Sequence, residues 1–420
     1  MAETRNVDVA VVGAGPAGIA AACRAAEAGA RVLVLDENPG AGGQIWRGPA
    51  AGAPAEARRW LERFARCGAD LSTETRVVEG RAGFLLAERG QEPLRIRAGK
   101  IVLATGAREL FLPFPGWTLP GVLGVGGAQA LVKGGASVRG RRAIVAGSGP
   151  LLLPAAAALR RAGARVLAVC EQAPRFEVRR FVRALLAHPG RLREALGYRL
   201  AFPLARYRLG TWVAGARGAR AVEEALLTDG ARMWTVDCDL LACSYGLVPA
   251  TELARLIGCD VVHGKVIAGD DQETTVPGVY CAGEPTGIGG AERALLEGQI
   301  AGLAAVGRAA EADELRRGRD RLEPFVQALG DVFTPRSELR QVPDATTLVC
   351  RCEDVRFGRL CGQAGPRAAK LATRVGMGAC QGRVCGAALQ VLMGWQIDTV
   401  RSPVEPATLA TLAASGEEEA

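Results

Sequence analysis

Four cysteines close to the C-terminus are the residues best suited to chemistry. Cys350 and Cys352 stand as C-x-C, and after 27 residues Cys380 and Cys385 stand as C-x4-C. Thiolates in two local pairs can hold zinc or an iron–sulfur cluster. Zinc sites usually space their paired cysteines more widely than C-x-C. The two histidines, His188 and His263, are far from this module in sequence, so the donor set would be all sulfur. Arg351, Lys370, Arg374 and Arg383 lie near the cysteines, and positive charge offsets an anionic all-thiolate cluster. The pattern favours [2Fe–2S] over zinc, with unbound core cysteines as the third reading. Cys361 has no partner at a matching spacing and reads as a buried small residue, as do the remaining cysteines.

A glycine-rich turn near the N-terminus supplies a second kind of chemistry. Residues 7–12 form a continuous apolar run, the pattern of a strand buried on both faces. Gly13-Ala14-Gly15-Pro16-Ala17-Gly18 follows at once. An alanine-rich helix pattern over 19–29 and a second apolar strand over 31–35 come next, ending at Asp36-Glu37. That order and spacing is a dinucleotide-binding fingerprint. Gly13 permits the tight turn, Gly15 lets a pyrophosphate approach the backbone, and Gly18 lets helix and strand pack closely. The phosphates would rest on the helix N-terminus. Asp36 is expected to hold the adenosine ribose, with Glu37 in reserve.

Residues 142–171 repeat the unit, with Gly147-Ser148-Gly149-Pro150-Leu151-Leu152 as the turn, 134 residues after the first. Leu152 replaces the third glycine, and Glu171 ends the second strand. Gly147, Gly149 and Glu171 are therefore candidates for a second nucleotide. That ligand could be NAD(H) or another adenine nucleotide, or the fold could be retained empty. Glu171 would repel a 2′-phosphate, which argues against NADP. Residues 42–52 hold no cysteine, and Cys170, Cys238, Cys243 and Cys259 make no C-x-x-C. Thiol–disulfide exchange is not expected.

Three further segments refine the first site. Gly42-Gly43-Gln44-Ile45 follows Asp36 closely, and residues 101–106 read as a strand ending in Ala104-Thr105-Gly106. Residues 275–302 hold a strand, then Gly283-Glu284, then a glycine-rich entry to a long helix. Together these resemble the pyridine-nucleotide-dependent flavin oxidoreductases with two dinucleotide domains. The resemblance implies FAD at the first site, with Gly43, Gln44, Thr105, Gly106 and Gly283 among its contacts. It places Glu284 at the ribitol, where many relatives carry Asp, and the following helix N-terminus at the isoalloxazine ring.

The strings CRCEDV, TRVGMGACQGRVCG and CAGEPTGIGGAERALLEGQIAG resemble the FAD-containing subunits of dye-linked or membrane-linked amino-acid dehydrogenases. That group includes the opine oxidase A-type subunits, the alpha subunits of proline and hydroxyproline dehydrogenases, and a flavoprotein component of hydrogen cyanide synthase. The C-terminal module resembles the [2Fe–2S] domain related to bacterioferritin-associated ferredoxin. The resemblance implies an FAD-containing beta subunit of amine oxidase type that oxidises a secondary amine or amino acid to an imine, and a chain like this one that relays the electrons. It further implies a small ferredoxin-like partner and, in some relatives, an FMN at the subunit interface. No local motif pairs an acid and a base that would nominate an amine-oxidising site in this chain. The alternative is a stand-alone NADH-dependent FAD/[2Fe–2S] reductase of a small acceptor. A non-enzymatic scaffold or redox sensor is the third.

Composition agrees with this class. The chain has 420 residues, 49% hydrophobic and 23% charged, ordinary for a globular protein. A net charge of +8 rests almost wholly on dispersed arginines, with no basic stripe interleaved with aromatics, so no nucleic-acid partner is expected. The first residues lack the apolar core of a secretory leader. The longest uncharged stretch, 143–159, is broken by Gly and Pro and does not read as a membrane span. These features predict a cytoplasmic protein, peripheral to the inner membrane at most through its complex. The expected class is α/β, with two Rossmann-like domains, the second inserted in the first. The expected boundaries are an FAD domain over 1–116 and 255–310 and a second nucleotide domain over 117–254. A connecting arm over 311–344, a cluster domain over 345–403 and a tail over 404–420 complete the chain. Residues 175–220, rich in arginine and aromatics, read as a solvated helical insert, with a partner surface as the alternative, and the last residues, from 413, are expected to fray.

Overall fold

The computed structural model describes residues 2–47, 54–186, 190–193, 197–198, 207–396 and 399–415. By internal contacts the chain divides into two units. One comprises Met1–Arg108, Val248–Glu323 and Thr399–Ala420, and the other comprises Glu109–Leu247 and Pro324–Asp398. The arm expected over 311–344 is thus shared between them, and the cysteine module groups with the second.

The first unit is built on a seven-stranded sheet. Its parallel part runs Asp70–Ser72, Val32–Leu35, Glu3–Val12, Glu92–Leu103, with Val279–Cys281 also paired to Glu92–Leu103. The hairpin Thr75–Arg81 and Phe84–Arg89 extends it antiparallel. Register aligns Val12 with Leu35 and with Leu103, and Leu103 with Cys281. Every strand that precedes a predicted site segment therefore ends at one edge. The helix Pro16–Glu27 covers one face, with Ala17, Ile19, Ala20, Ala21 and Cys23 buried. The helix Gly290–Ala305 packs on it so closely that a Cβ on Gly298 would meet the Ala17 carbonyl oxygen at 2.1 Å.

The tail expected from 404 is not free. Thr408 caps the short helix Leu409–Ala413, and the Glu88 carboxylate accepts from the Thr408 and Thr411 hydroxyls at 2.8 and 2.6 Å. Ala414 is buried with Val78, Phe84 and Leu86. These long-range contacts leave no local signature in a short polar sequence. The acidic run Glu417–Glu419 lies outside the described residues.

The second unit holds a five-stranded parallel sheet ordered Tyr207–Leu209, Arg165–Glu171, Arg142–Gly147, Leu240–Ser244, Val122–Gly124. The helix Leu152–Arg161 covers it, with Leu152 buried where the fingerprint has its third glycine. The insert is not simply solvated. Its helix Arg175–Leu185 buries Phe181 and Leu185 against Phe325, Val326 and Val332, and part of the remainder, His188 included, lies outside the described residues.

Close backbone approach fixes the first turn. Gly13 has φ +103, and a Cβ there would lie 2.3 Å from the Ala104 oxygen. A Cβ on Gly18 would lie 1.8 Å from the Gly13 oxygen. Gly29, with φ +94, has nothing within 4 Å of a Cβ, so Gly29→Ala meets only the backbone cost of a left-handed residue, about 1–2 kcal/mol. Gly18→Ala is expected to cost at least about 2 kcal/mol more, since the neighbour it strikes is backbone. Urea melts of the two variants check the order, and equal midpoints would remove the packing role assigned to Gly18.

Candidate functional site

At the shared strand edge the structure gathers the first-site residues within one unit. The Gly13 N–H donates to the Leu35 oxygen at 2.8 Å, and the Ala104 N–H to the Val12 oxygen at 2.9 Å. Asp36 is 6% exposed. Its Oδ2 accepts from the Ala14 N–H at 2.6 Å, and its Oδ1 from the Asn38 N–H at 2.8 Å. Glu37 instead faces solvent, 3.6 Å from Arg76. Gly43 sits on the turn, where a Cβ would come 2.9 Å from the Gly15 Cα, and Gln44 is exposed beside it. The Thr105 hydroxyl donates to the Ala250 oxygen at 2.6 Å. The helix Pro16–Glu27 starts at Gly15 with no side-chain cap. Such an N-terminus, bare of side chains, favours an anion.

Glu284 lies in the short helical turn Glu284–Thr286. Its Oε1 accepts from the Gly290 N–H at 3.0 Å, while Oε2 is shut off from solvent with no partner among the described residues. Burial, only partly offset by backbone N–H groups, pushes its carboxyl up to about 7. A buried oxygen without a partner calls for a ligand, and a ribitol hydroxyl would supply one. The cradle of Gly13, Gly15, Gly18 and Gly43, with this orphaned oxygen, fits FAD.

Sequence reasoning missed the residue that holds this loop. Glu297 is 1% exposed. It accepts from the Gly283 N–H at 2.8 Å, the Thr286 hydroxyl at 2.7 Å and Arg293 at 2.7 Å. The only available signal was the i,i+4 spacing of Arg293 and Glu297 in a helix, which by itself reads as a surface pair.

The second turn is furnished differently. Glu171 is wholly buried. Its Oε2 accepts from the Gly149 N–H at 2.7 Å and its Oε1 from the Ala173 N–H at 2.8 Å. Burial outweighs these bonds and pushes the carboxyl up to about 8. The Ser148 hydroxyl donates to the Phe333 oxygen at 2.8 Å.

In the cysteine module Cys352 and Cys380 approach to 3.6 Å between sulfurs. Cys350 and Cys385 are buried in one small core with Val349, Val355, Leu360 and Leu389. Burial, then the neighbouring Cys350 and Cys380 sulfurs, push Cys385 up to about 12. Burial also works to raise Cys380, but N–H groups of Val384, Gly382 and Arg383 and the Cys352 thiol outweigh it and hold Cys380 below its ordinary value. Gly378 must be glycine, because a Cβ would lie 2.1 Å from the Cys352 Cβ. Among the described residues no group of three or more His, Cys, Asp and Glu is already arranged to hold a metal ion. The four thiols are neighbours all the same, and the all-sulfur donor set suits an iron–sulfur cluster. The expected screen of basic residues is in part engaged: Arg374 pairs with Glu353 at 2.7 Å, and Arg351 stacks over Trp117 at 5.4 Å. Cys361 is exposed, contrary to expectation, because its thiol turns out along its own turn toward the Phe357 oxygen. Cys23, Cys170, Cys238, Cys243, Cys259 and Cys281 are buried, and Cys67 is half-buried.

A fold with two such sheets and a glycine-lined strand edge defines a class, and the sequence relationships agree. Residues 7–298 match the pyridine nucleotide-disulphide oxidoreductase family, and the chain belongs to it as an FAD-dependent oxidoreductase. It is 36% identical to the A-type subunit of opine oxidase from Rhizobium meliloti (strain 1021), over 97% of this chain and 98% of the relative. It is 30% identical to hydrogen cyanide synthase subunit HcnB of Pseudomonas protegens, over 89% of each. Among solved structures, the L-proline dehydrogenase of P. horikoshii superposes with a TM-score of 0.72 at 21% identity, covering 98% of this chain and 80% of that one. The T. acidophilum thioredoxin reductase covers 73% of this chain and 99% of its own, with a TM-score of 0.57 at 21% identity.

Two outcomes follow from these carboxylates. Glu297→Ala takes from Arg293 its buried partner, leaving the ion pair to Glu323, frees the Gly283 loop, and is expected to cost about 3 kcal/mol in denaturant unfolding and to speed FAD release. Melts within error of wild type would make Glu297 a bystander. Glu171 has a folded-state value above the carboxylate norm, so between about pH 4.5 and 8 the folded protein holds the proton more tightly than the unfolded chain. Its contribution to stability is therefore lost as pH rises through that window. The stability of Glu171→Gln relative to wild type should grow from about pH 5 to about pH 8, as read by unfolding midpoints, and a flat difference would sink the assignment.

Proposed function

We propose that this chain is the electron-relaying flavoprotein and iron–sulfur subunit of a heteromeric dehydrogenase acting on the CH–NH bond of an opine, proline or a related amino acid. The observation that carries the reading is the end-to-end likeness to the opine oxidase A-type subunit, over 97% of one chain and 98% of the other. That relative is named as one subunit of its enzyme, and so is hydrogen cyanide synthase HcnB. On this reading an FAD-containing beta subunit of amine oxidase type performs the oxidation and passes electrons to this chain, in some relatives through an FMN at the interface of the two subunits, and a small ferredoxin-like partner belongs to the same assembly. Among the described residues no helix is long and apolar enough to cross a membrane. Any link to the inner membrane would on this reading be peripheral, through the complex.

Gly13, Gly15, Gly18, Gly43 and Gln44 would hold the pyrophosphate side of FAD, and Asp36 the adenosine ribose. Thr105 and Gly106 line the strand end, and Gly283 and Glu284 take the ribitol. When bound, FAD accepts electrons in pairs and yields them singly. Glu297 fixes the loop that carries Glu284. Cys350, Cys352, Cys380 and Cys385 would ligate a [2Fe–2S] cluster, which carries one electron at a time. Peptide N–H groups of residues 382–384 favour the thiolate of Cys380, the form a cluster ligand takes. The C-terminal module, about 345–403, is on this reading a cluster domain.

Cys352→Ser and Cys380→Ser should each remove the electron-spin-resonance signal of a reduced [2Fe–2S] centre while the bound FAD absorbance persists. An unaltered signal in both variants would eliminate these two as ligands. In steady-state assays the purified chain alone should not oxidise opines or proline at an appreciable rate. Full activity without a partner would end the relay reading.

A further inference from the structure

The second nucleotide domain repeats the strand–turn–helix–strand unit that binds a dinucleotide, and its family name promises a pyridine nucleotide there. Three things are needed at such a site: open N–H donors at the turn, a carboxylate within a ligand's reach at the end of the second strand, and an empty mouth between them.

Most of the donors are spent. The Ser148 N–H donates to the Ser244 oxygen at 2.7 Å and the Gly149 N–H to Glu171 at 2.7 Å. Pro150 has no N–H to offer. The Leu152 and Leu153 N–H groups bond back to Gly149 and Pro150 at 3.2 and 3.3 Å. The carboxylate is out of reach as well, since Glu171 has no exposed surface. The mouth is filled by residues 333–336 of the same unit. The Phe333 oxygen takes the Ser148 hydroxyl at 2.8 Å, and the Phe333 side chain lies over Gly149, 3.9 Å from where a Cβ would stand. Gln172, one residue beyond Glu171, is buried. It donates to the Thr334 oxygen at 3.1 Å and accepts from the Arg336 N–H at 3.1 Å. The Arg336 guanidinium stacks over Trp212 at 4.0 Å, which anchors the far end of the segment.

We infer that residues 333–336 permanently occupy the second dinucleotide site, so that this domain takes neither NAD(H) nor another adenine nucleotide. The segment crosses from the glycine turn to the end of the second strand, the course of a pyrophosphate and its adenosine ribose. Its carbonyl oxygens meet the Ser148 hydroxyl and the Gln172 amide as a ligand's acceptors would. The inference is independent of the proposed partner subunits, because it concerns only this domain. It removes the nicotinamide entry that a stand-alone NADH reductase requires.

The test uses the FAD-loaded protein under anaerobic conditions. Calorimetric titration with NAD+, NADP+ and ATP to millimolar concentration should give no saturable binding, and NADH should not bleach the flavin. Hydrogen exchange of peptides covering 145–153 and 330–337 should be the same with and without NAD+. Saturable binding with protection of 145–153 would overturn the inference, and so would release of 330–337 by NAD+. The double variant Phe333→Gly/Arg336→Ala should speed exchange at 145–153 roughly tenfold. Unchanged exchange there would show that the segment does not cover the turn. If that variant fails to fold, the wild-type titrations still decide.

Discussion

Both nucleotide folds depend on a carboxylate at the end of the second strand that is tied to a backbone N–H of the glycine turn. Asp36 does this to Ala14 and Glu171 to Gly149. The bond crosses from one strand end to the other, so it fixes the turn that the first strand delivers and sets where the helix begins. Without it, neither the close packing at Gly13 nor the alignment of the strand edges has a fixed reference.

From that common arrangement the two domains diverge by what lies beside the turn. In the first, Gly43 approaches Gly15, where a Cβ on Gly43 would meet the Gly15 Cα at 2.9 Å. Glu284 brings an oxygen with no partner among the described residues into the same unit, steadied through Glu297. In the second, Ser148, Gln172 and Glu171 are all matched with groups of the chain itself. An unmatched buried acceptor beside one turn, against matched Ser148, Gln172 and Glu171 beside the other, is the chemical difference between a binding site and a structural copy.

Local patterns carried most of the fold. Glycine spacing, apolar runs of strand length and the terminal acids located both turns, and register then placed Val12, Leu35, Leu103 and Cys281 at one edge. What could not be read was long-range. Glu297 serves the Gly283 loop across 14 residues, Phe333 meets Ser148 across 185, and Thr408 meets Glu88 across 320. No periodicity reports such pairs. The spacing of Cys350, Cys352, Cys380 and Cys385 was legible because each pair is local, whereas the turning of Cys361 out to solvent depends on the conformation of its own turn.

The contact between Ser148 and Phe333 has a thermodynamic consequence. A domain that binds a diffusible nucleotide gains stability only in proportion to how far that nucleotide exceeds its dissociation constant. A segment of the same chain is present at a fixed effective concentration set by the connecting backbone. The second sheet therefore keeps its stabilising occupant at every nucleotide level, and its stability is uncoupled from the energy state of the cell.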